Sequence, residues 1–284
     1  MTVTVSRPVR RRPFVQRLMS GVGTTVTWIV TVAFFFPVLW MVFTAFKTEK
    51  AAATMPPTFF TEFTLDGFIA VFDRGFGSYF LNSLIASLGS TAFVILLAIP
   101  AAYALSIRPI ARWRDALFFF ISTRFMPVAA AIIPIYLILQ SVGLLDNIGA
   151  LSILYVGMNL PLAIWMLRSF FSEVPQEIVE AAQLDGARLH TEITRVVLPI
   201  VAPGIAAAAL ICFIFAWNEY FLANLLTSTV ARTTPPFLAG FVDGRGQFLG
   251  VLSAASTLAV LPVVVAGWVS QKRLVRGLAM GAVK

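Results

Sequence analysis

Six apolar runs, each long enough to cross a lipid bilayer, constrain this chain more than any other feature. They are Thr24–Phe46, Tyr79–Leu105, Leu117–Gln140, Ile148–Leu167, Pro199–Leu226 and Phe248–Ser270. About 20 apolar residues span the hydrocarbon layer as a helix, whereas a membrane β-strand needs about half that and alternates apolar with polar residues. These runs do not alternate. Helices are then the spanning form left to them, because lipid offers no partner to an unpaired peptide group. The predicted fold is all-α: a polytopic membrane protein with six transmembrane helices. Only 12% of residues are charged and the mean hydropathy is +0.89, against about 25% charged in a soluble domain. A large soluble core is excluded. Pro37, Pro100, Pro127, Pro134, Pro161 and Pro262 fall inside the runs. A bundle tolerates them because neighbouring helices re-satisfy the freed carbonyls.

Orientation follows from Lys and Arg, which concentrate on the cytoplasmic side. Fifteen lie in the N-terminal arm, the second-to-third link, the fourth-to-fifth link and the tail. The opposite side holds five: Lys47, Lys50, Arg74, Arg232 and Arg245. Both termini are predicted to be cytoplasmic. The first run is too long for a signal-peptide core of about 7–15 residues. The chain divides into a basic arm over 1–23, a six-helix transmembrane domain over 24–270 and a cytoplasmic tail over 271–284.

Chemistry on this chain is sparse. It has one cysteine, Cys212, and one histidine, His190. Neither an internal disulfide nor a clustered metal site can be built from them. No phosphate-binding loop and no nucleophile elbow occurs. The chain is predicted not to be an enzyme and to hold no cofactor or metal. Its net charge of +8 is accounted for by one-sided basic loops and needs no nucleic acid. The link between Lys47 and Ser78 carries Phe59, Phe60, Phe63, Phe68, Phe72 and Phe76. These are either interfacial aromatics at headgroup level or a short amphipathic helix meeting an external partner.

The link from Arg168 to Leu198 is different. Its "EIVEAAQLDGARL", residues 177–189, contains two acids early, two adjacent alanines and a turn signal. A helix over about Gln176–Leu184 brings Ile178, Ala181, Ala182 and Asp185 near one face. Asp185-Gly186 ends it, since glycine accepts the left-handed stop. A second helix over about Arg188–Val197 leads to Pro199. A helix resting on lipid shows bulky apolar residues opposite Lys and Arg. This one offers small residues flanked by Glu180 and Asp185, the pattern of a surface that another protein approaches closely.

Glu180-Ala181-Ala182, then Gly186, then Val196, Leu198 and Pro199 resembles the EAA motif of binding-protein-dependent ABC importer permeases, with Val196 where the motif has isoleucine. "FAWNEYFLA" (215–223), "STRFMPVAAAIIPIY" (122–136) and "QKRLVRGLAMGAVK" (271–284) are similar to the second permease subunit of maltose-type carbohydrate importers. The combination of "STRFMP" with a "GAVK" ending most resembles permeases for sugar alcohols such as mannitol or sorbitol.

The resemblance implies an assembly in the bacterial inner membrane. It has a second homologous permease subunit, two ATPase subunits that bind ATP and Mg, and a periplasmic or lipid-anchored solute-binding protein. It also implies that Glu180, Ala181, Ala182, Asp185, Gly186, Leu198 and Pro199, within a loop over about 172–199, couple this chain to the ATPase. Candidates for the substrate path are Arg124, because ionisable residues within spans are usually functional, Asn218 and Glu219 as groups that bond a polyol, and Trp217 and Tyr220 as rings that stack on a sugar face. Arg124 either lines the path or pairs structurally. The Trp217–Tyr220 segment either contacts a polyol or anchors at the interface. A disaccharide permease is the alternative within the family. A stand-alone secondary transporter or channel is the distant one.

Overall fold

A computed structural model describes residues 14–59, 61–125, 128–242 and 248–281. Outside the described residues lie the first thirteen residues of the basic arm, Phe60, Met126-Pro127 of the third run, Arg245 and the last three residues of the tail. The described chain is helical. Its elements are α1 Phe14–Thr44, α2 Glu49–Ala52, α3 Asp66–Asp73, α4 Phe76–Ser106, α5 Trp113–Arg124, α6 Val128–Ser141, α7 Ile148–Phe171, α8 Gln176–Leu184, α9 Leu189–Thr191, a π-helical segment Glu192–Val197, α10 Leu198–Trp217, α11 Phe221–Leu226, α12 Thr234–Ala239 and α13 Leu249–Gly281.

Among the described residues five helices are long and apolar enough to cross a membrane: Val22–Thr44, Phe76–Ser106, Ile148–Phe171, Leu189–Trp217 and Leu249–Gln271. The third and fifth runs depart from the expected unbroken helices. The third divides into α5 and α6, with Phe125 closing α5. Pro127 stands two residues further on in the sequence, and proline has no N–H to donate to a helix. The fifth run stops at Trp217 and restarts at Phe221 as α11. There the Glu219 carboxylate accepts the backbone N–H of Leu222 at 2.9 Å and of Ala223 at 3.0 Å.

The centre of the bundle is α4 laid along α7 and α10, with α13 against α10. Small side chains fill these seams: Ala98 and Ala102 of α4, Ala163 of α7, Ala208 and Cys212 of α10 are all fully buried. Small residues let helices approach closely in lipid, where packing rather than water drives association. Gly204 marks the tightest approach, since a Cβ there would lie 2.3 Å from the Phe170 ring. The first helix is the opposite case. Trp28, Ile29, Phe34 and Phe35 are exposed, so its apolar surface faces outward.

At one end of the bundle the link after α1 folds back. Lys47 is buried, donates from Nζ to the Thr58 carbonyl at 2.6 Å, and lies 4.3 Å from the Trp40 ring centroid. Burial lowers its pKa. α3 is amphipathic, burying Gly67 and Val71 against α13 and α4. The aromatic run therefore divides: Phe76 is buried, while Phe59, Phe63 and Phe72 remain exposed.

Candidate coupling loop and substrate path

At the opposite end, α7 gives way to Pro175 and α8 begins at Gln176. Of α8 only Val179 is buried, joining the core formed by α4, α7 and α10. Ala182 is half-buried, turned toward the protein. Glu180, Ala181 and Asp185 are exposed, and so are two bulky residues beside them, Ile178 and Leu184, the latter at 90%. Ile178, Ala181 and Leu184 recur every three residues and share a face. The helix thus presents a low floor at Ala181 between two apolar shoulders. Gly186 has φ +78° with open space around it, and Ala187 donates to the Ala182 carbonyl at 3.0 Å. The turn is set by backbone conformation, which glycine alone adopts without strain.

Beyond the turn the second helix runs into Pro199 and the fifth span, as its sequence indicated. It runs through α9 and the π-helical segment straight into α10, with Pro199 in the first turn of α10. Leu198 is half-buried and Pro199 exposed. Because the helix is continuous there, Pro199 leaves one backbone acceptor of the preceding turn without its usual N–H.

The residue that sequence reading missed here is Glu192. It is fully buried. Its carboxylate accepts from the Tyr103 hydroxyl, from Arg108 Nη2 at 2.6 Å and from Gln183 Nε2 at 3.3 Å. The pair with Arg108 is the one ion pair among the described residues, and it raises the Arg108 pKa further. A carboxylate removed from water is tolerable only when its oxygens are bonded in this way.

Arg124 lies at the end of α5 and lines a cavity of about 710 Å³ between α5, α6, α7 and α11. Its Nη1 donates to the Met158 carbonyl at 2.7 Å and its guanidinium sits 5.1 Å from the Phe215 ring centroid. Among the described residues no carboxylate is within ion-pair distance of it. A guanidinium has five N–H donors, so it can bond hydroxyls in the cavity. The cavity wall is otherwise largely apolar, with Ile135, Ile153, Leu154 and Leu222.

The Trp217–Tyr220 segment is not brought to this cavity. Trp217 is buried against Phe80 and Phe213, and its indole N–H donates to the Ala259 carbonyl of α13 at 3.1 Å. It turns away from Arg124. Asn218 is exposed and bonds the Ile214 carbonyl; Tyr220 is exposed. Glu219 caps α11 and accepts the Tyr155 hydroxyl at 3.2 Å. Its link to the cavity is indirect: α11, which it holds, supplies Leu222 to the wall. Asn82, near the start of α4, donates to the Val230 and Arg232 carbonyls. Asn159 is buried with neither amide atom bonded.

The described residues thus form a polytopic helical bundle with a largely apolar cavity reached by one arginine and an exposed, small-faced loop at one end. Residues 94–280 match the family described as binding-protein-dependent transport system inner membrane component, and the chain belongs to that family. It is a multi-pass inner-membrane transport subunit of the ABC type, not an enzyme. It is similar to a probable ABC transporter permease protein of Sinorhizobium fredii, 37% identical over 92% of this chain and 94% of the relative. The trehalose transport system permease protein of Mycobacterium tuberculosis is 34% identical over 87% of this chain and 92% of its own length. In fold, it resembles a chain of a bacterial ABC transporter involved in import of the acidic polysaccharide alginate. That likeness has a TM-score of 0.73 at 23% identity, covering 94% of this chain and 99% of the other.

Proposed function

We propose that this chain forms half of the translocation path of an ATP-driven importer for a carbohydrate, and that loop 172–199 couples it to a partner ATPase. The observation that carries the reading is the exposed face of α8. Its low floor at Ala181 between Ile178 and Leu184, ended by the left-handed Gly186, is built to seat in another protein. ATP and Mg belong to two partner ATPase chains. A second, homologous permease completes the path, and a solute-binding protein delivers substrate from outside; the family description, binding-protein-dependent, supports that partner. Closure of the ATPase pair swings α8, and the bundle rocks between two packed states. Each ligand must favour one state, or neither shifts the population.

In this reading α5 and α6 together make the third crossing, which gives six crossings and places both termini in the cytoplasm. The arm over 1–23 and the tail over 271–284 lie on that side. Arg124 bonds substrate hydroxyls as they pass. The substrate is a sugar alcohol or a small sugar. The "STRFMP" and "GAVK" segments favour the polyol, and the relative named for trehalose supports a disaccharide equally well.

The test is uptake and ATP hydrolysis by the assembled complex in proteoliposomes, with binding protein and mannitol, sorbitol or trehalose. Stimulated hydrolysis with one of these supports the reading and selects the sugar. Hydrolysis unaffected by any of them, with an intact complex, refutes the sugar-alcohol and trehalose assignments.

A further inference from the structure

We propose that Glu192 is the positioning residue through which the coupling loop moves the pore helices: it welds the start of the α10 pathway to the end of α4 and holds α8 only lightly. This rests on the reading of loop 172–199 as the coupling element. Three pieces of chain meet at the one carboxylate. Tyr103 comes from the last turn of α4, Arg108 from the link just after it, and Gln183 from the last turn of α8. The bonds are unequal. The Arg108 contact joins two charged groups and is short, at 2.6 Å, while the Gln183 contact has a neutral amide as donor and is long, at 3.3 Å. A short bond between two ionised groups is stronger than a long one from a neutral amide to the same carboxylate.

When α8 is displaced, the Gln183 bond is therefore the one that yields. The carboxylate stays with Tyr103 and Arg108, because it is fully buried and an unbonded buried carboxylate is far costlier than a lost amide contact. A second feature sits at the same residue. Glu192 opens the π-helical segment that joins α9 to α10. Single π turns recur at functional positions, and their i→i+5 bonds have a nearby i→i+4 alternative. The joint thus combines a fixed side, to α4, with a yielding side, to α8, at a stretch of helix able to change its winding.

The position was invisible in sequence as one acid among several in a polar link. The joint predicts a particular failure. A weakened joint lets the ATPase turn over without moving the path, so sugar transported per ATP falls. A merely structural role would lower the amount of assembled complex, cutting uptake and hydrolysis together and leaving that ratio unchanged.

The experiment measures sugar imported per ATP hydrolysed by the whole complex in proteoliposomes, using the sugar selected above and normalising to assembled complex. Glu192→Gln keeps the shape but removes the ion pair, and is expected to lower the ratio about five-fold, within the range of coupling between residues of one network. Gln183→Ala, an exposed change that leaves Tyr103 and Arg108 in place, should lower it about two-fold. If Glu192→Gln does not assemble, Gln183→Ala decides alone. Wild-type ratios in the variants that assemble overturn the proposal. A wild-type complex that no loaded binding protein stimulates would instead fail the reading of the loop, a result visible before any variant is made.

Discussion

Where α6 turns into α7, Asp146 accepts backbone N–H groups from Ser228, Thr229, Val230 and Ala231, all within 3.0 Å, and the hydroxyls of Ser228 and Thr229 as well. At the other end of the bundle Glu192 accepts only from side chains. Glu49 resembles Asp146: it receives the backbone N–H groups of Gly250 and Val251 where α13 begins. The end with α3, α11 and α12 is thus stapled by carboxylates to main chain, which cannot rearrange without moving the backbone. The end with α8 is joined by side chains, which can exchange partners. A device that must carry motion at one end and keep a loop surface in register at the other has reason to use both chemistries. The comparison implies that changes at the first end act on stability, and changes at the second on transport.

The largest expected effect separates the two. Gly186→Leu should cut uptake more than ten-fold at normal membrane levels, because a side chain in the left-handed region costs about 1–2 kcal/mol and tilts the loop. Its melting temperature should fall by only the few degrees that this strain corresponds to, since nothing packs around Gly186. A variant that melts early but transports normally would break the comparison.

Asp146→Asn should do the reverse. Weakened charge-assisted bonds, worth about 1.5–3 kcal/mol before surface water replaces part of them, correspond to a fall of about 3–10 °C. Burial alone would raise the Asp146 pKa, but the backbone N–H groups of residues 228–231 outweigh it and hold the carboxyl well below its usual range. The folded value being depressed, its stabilisation is present above the unfolded carboxylate value of about 3.9 and is lost as pH falls through the folded one. The gap between wild type and variant should be flat from about pH 8 to 5 and close only below about pH 4. The smallest effect is Glu49→Gln, which retains one acceptor oxygen. A loss of about 1 kcal/mol, or a few degrees in melting temperature, is expected, with uptake per ATP unchanged.

Sequence pattern revealed what depends on neighbours in the chain. The long apolar runs and the Asp185-Gly186 turn are local, and α8 occupies the span its periodicity indicates. The breaks in the third and fifth runs were harder to see, because Pro127 looked like the other tolerated prolines and Glu219 like a span residue rather than a cap. The direction of Trp217 could not be read, since α10 is apolar on every side and no face stands out as inner. Glu192 and Asp146 meet partners more than eighty residues away, pairings that no spacing encodes. The small face was legible but not its division: Ala181 points out, whereas Ala182 is turned half inward.

That division selects the most direct measurement of the central claim, that α8 is where force from the ATPase enters this chain. Ala181→Trp fills the floor between Ile178 and Leu184 without touching the core. Overpacking a close interface costs about 1–3 kcal/mol, or about thirty-fold in association at its midpoint. The assay is co-purification of the ATPase with the variant, together with binding-protein-stimulated ATP hydrolysis in proteoliposomes. Loss of retained ATPase, or of stimulation, at an unchanged level of inserted permease is the predicted result. Wild-type values in both would mean that the ATPase does not seat on this face.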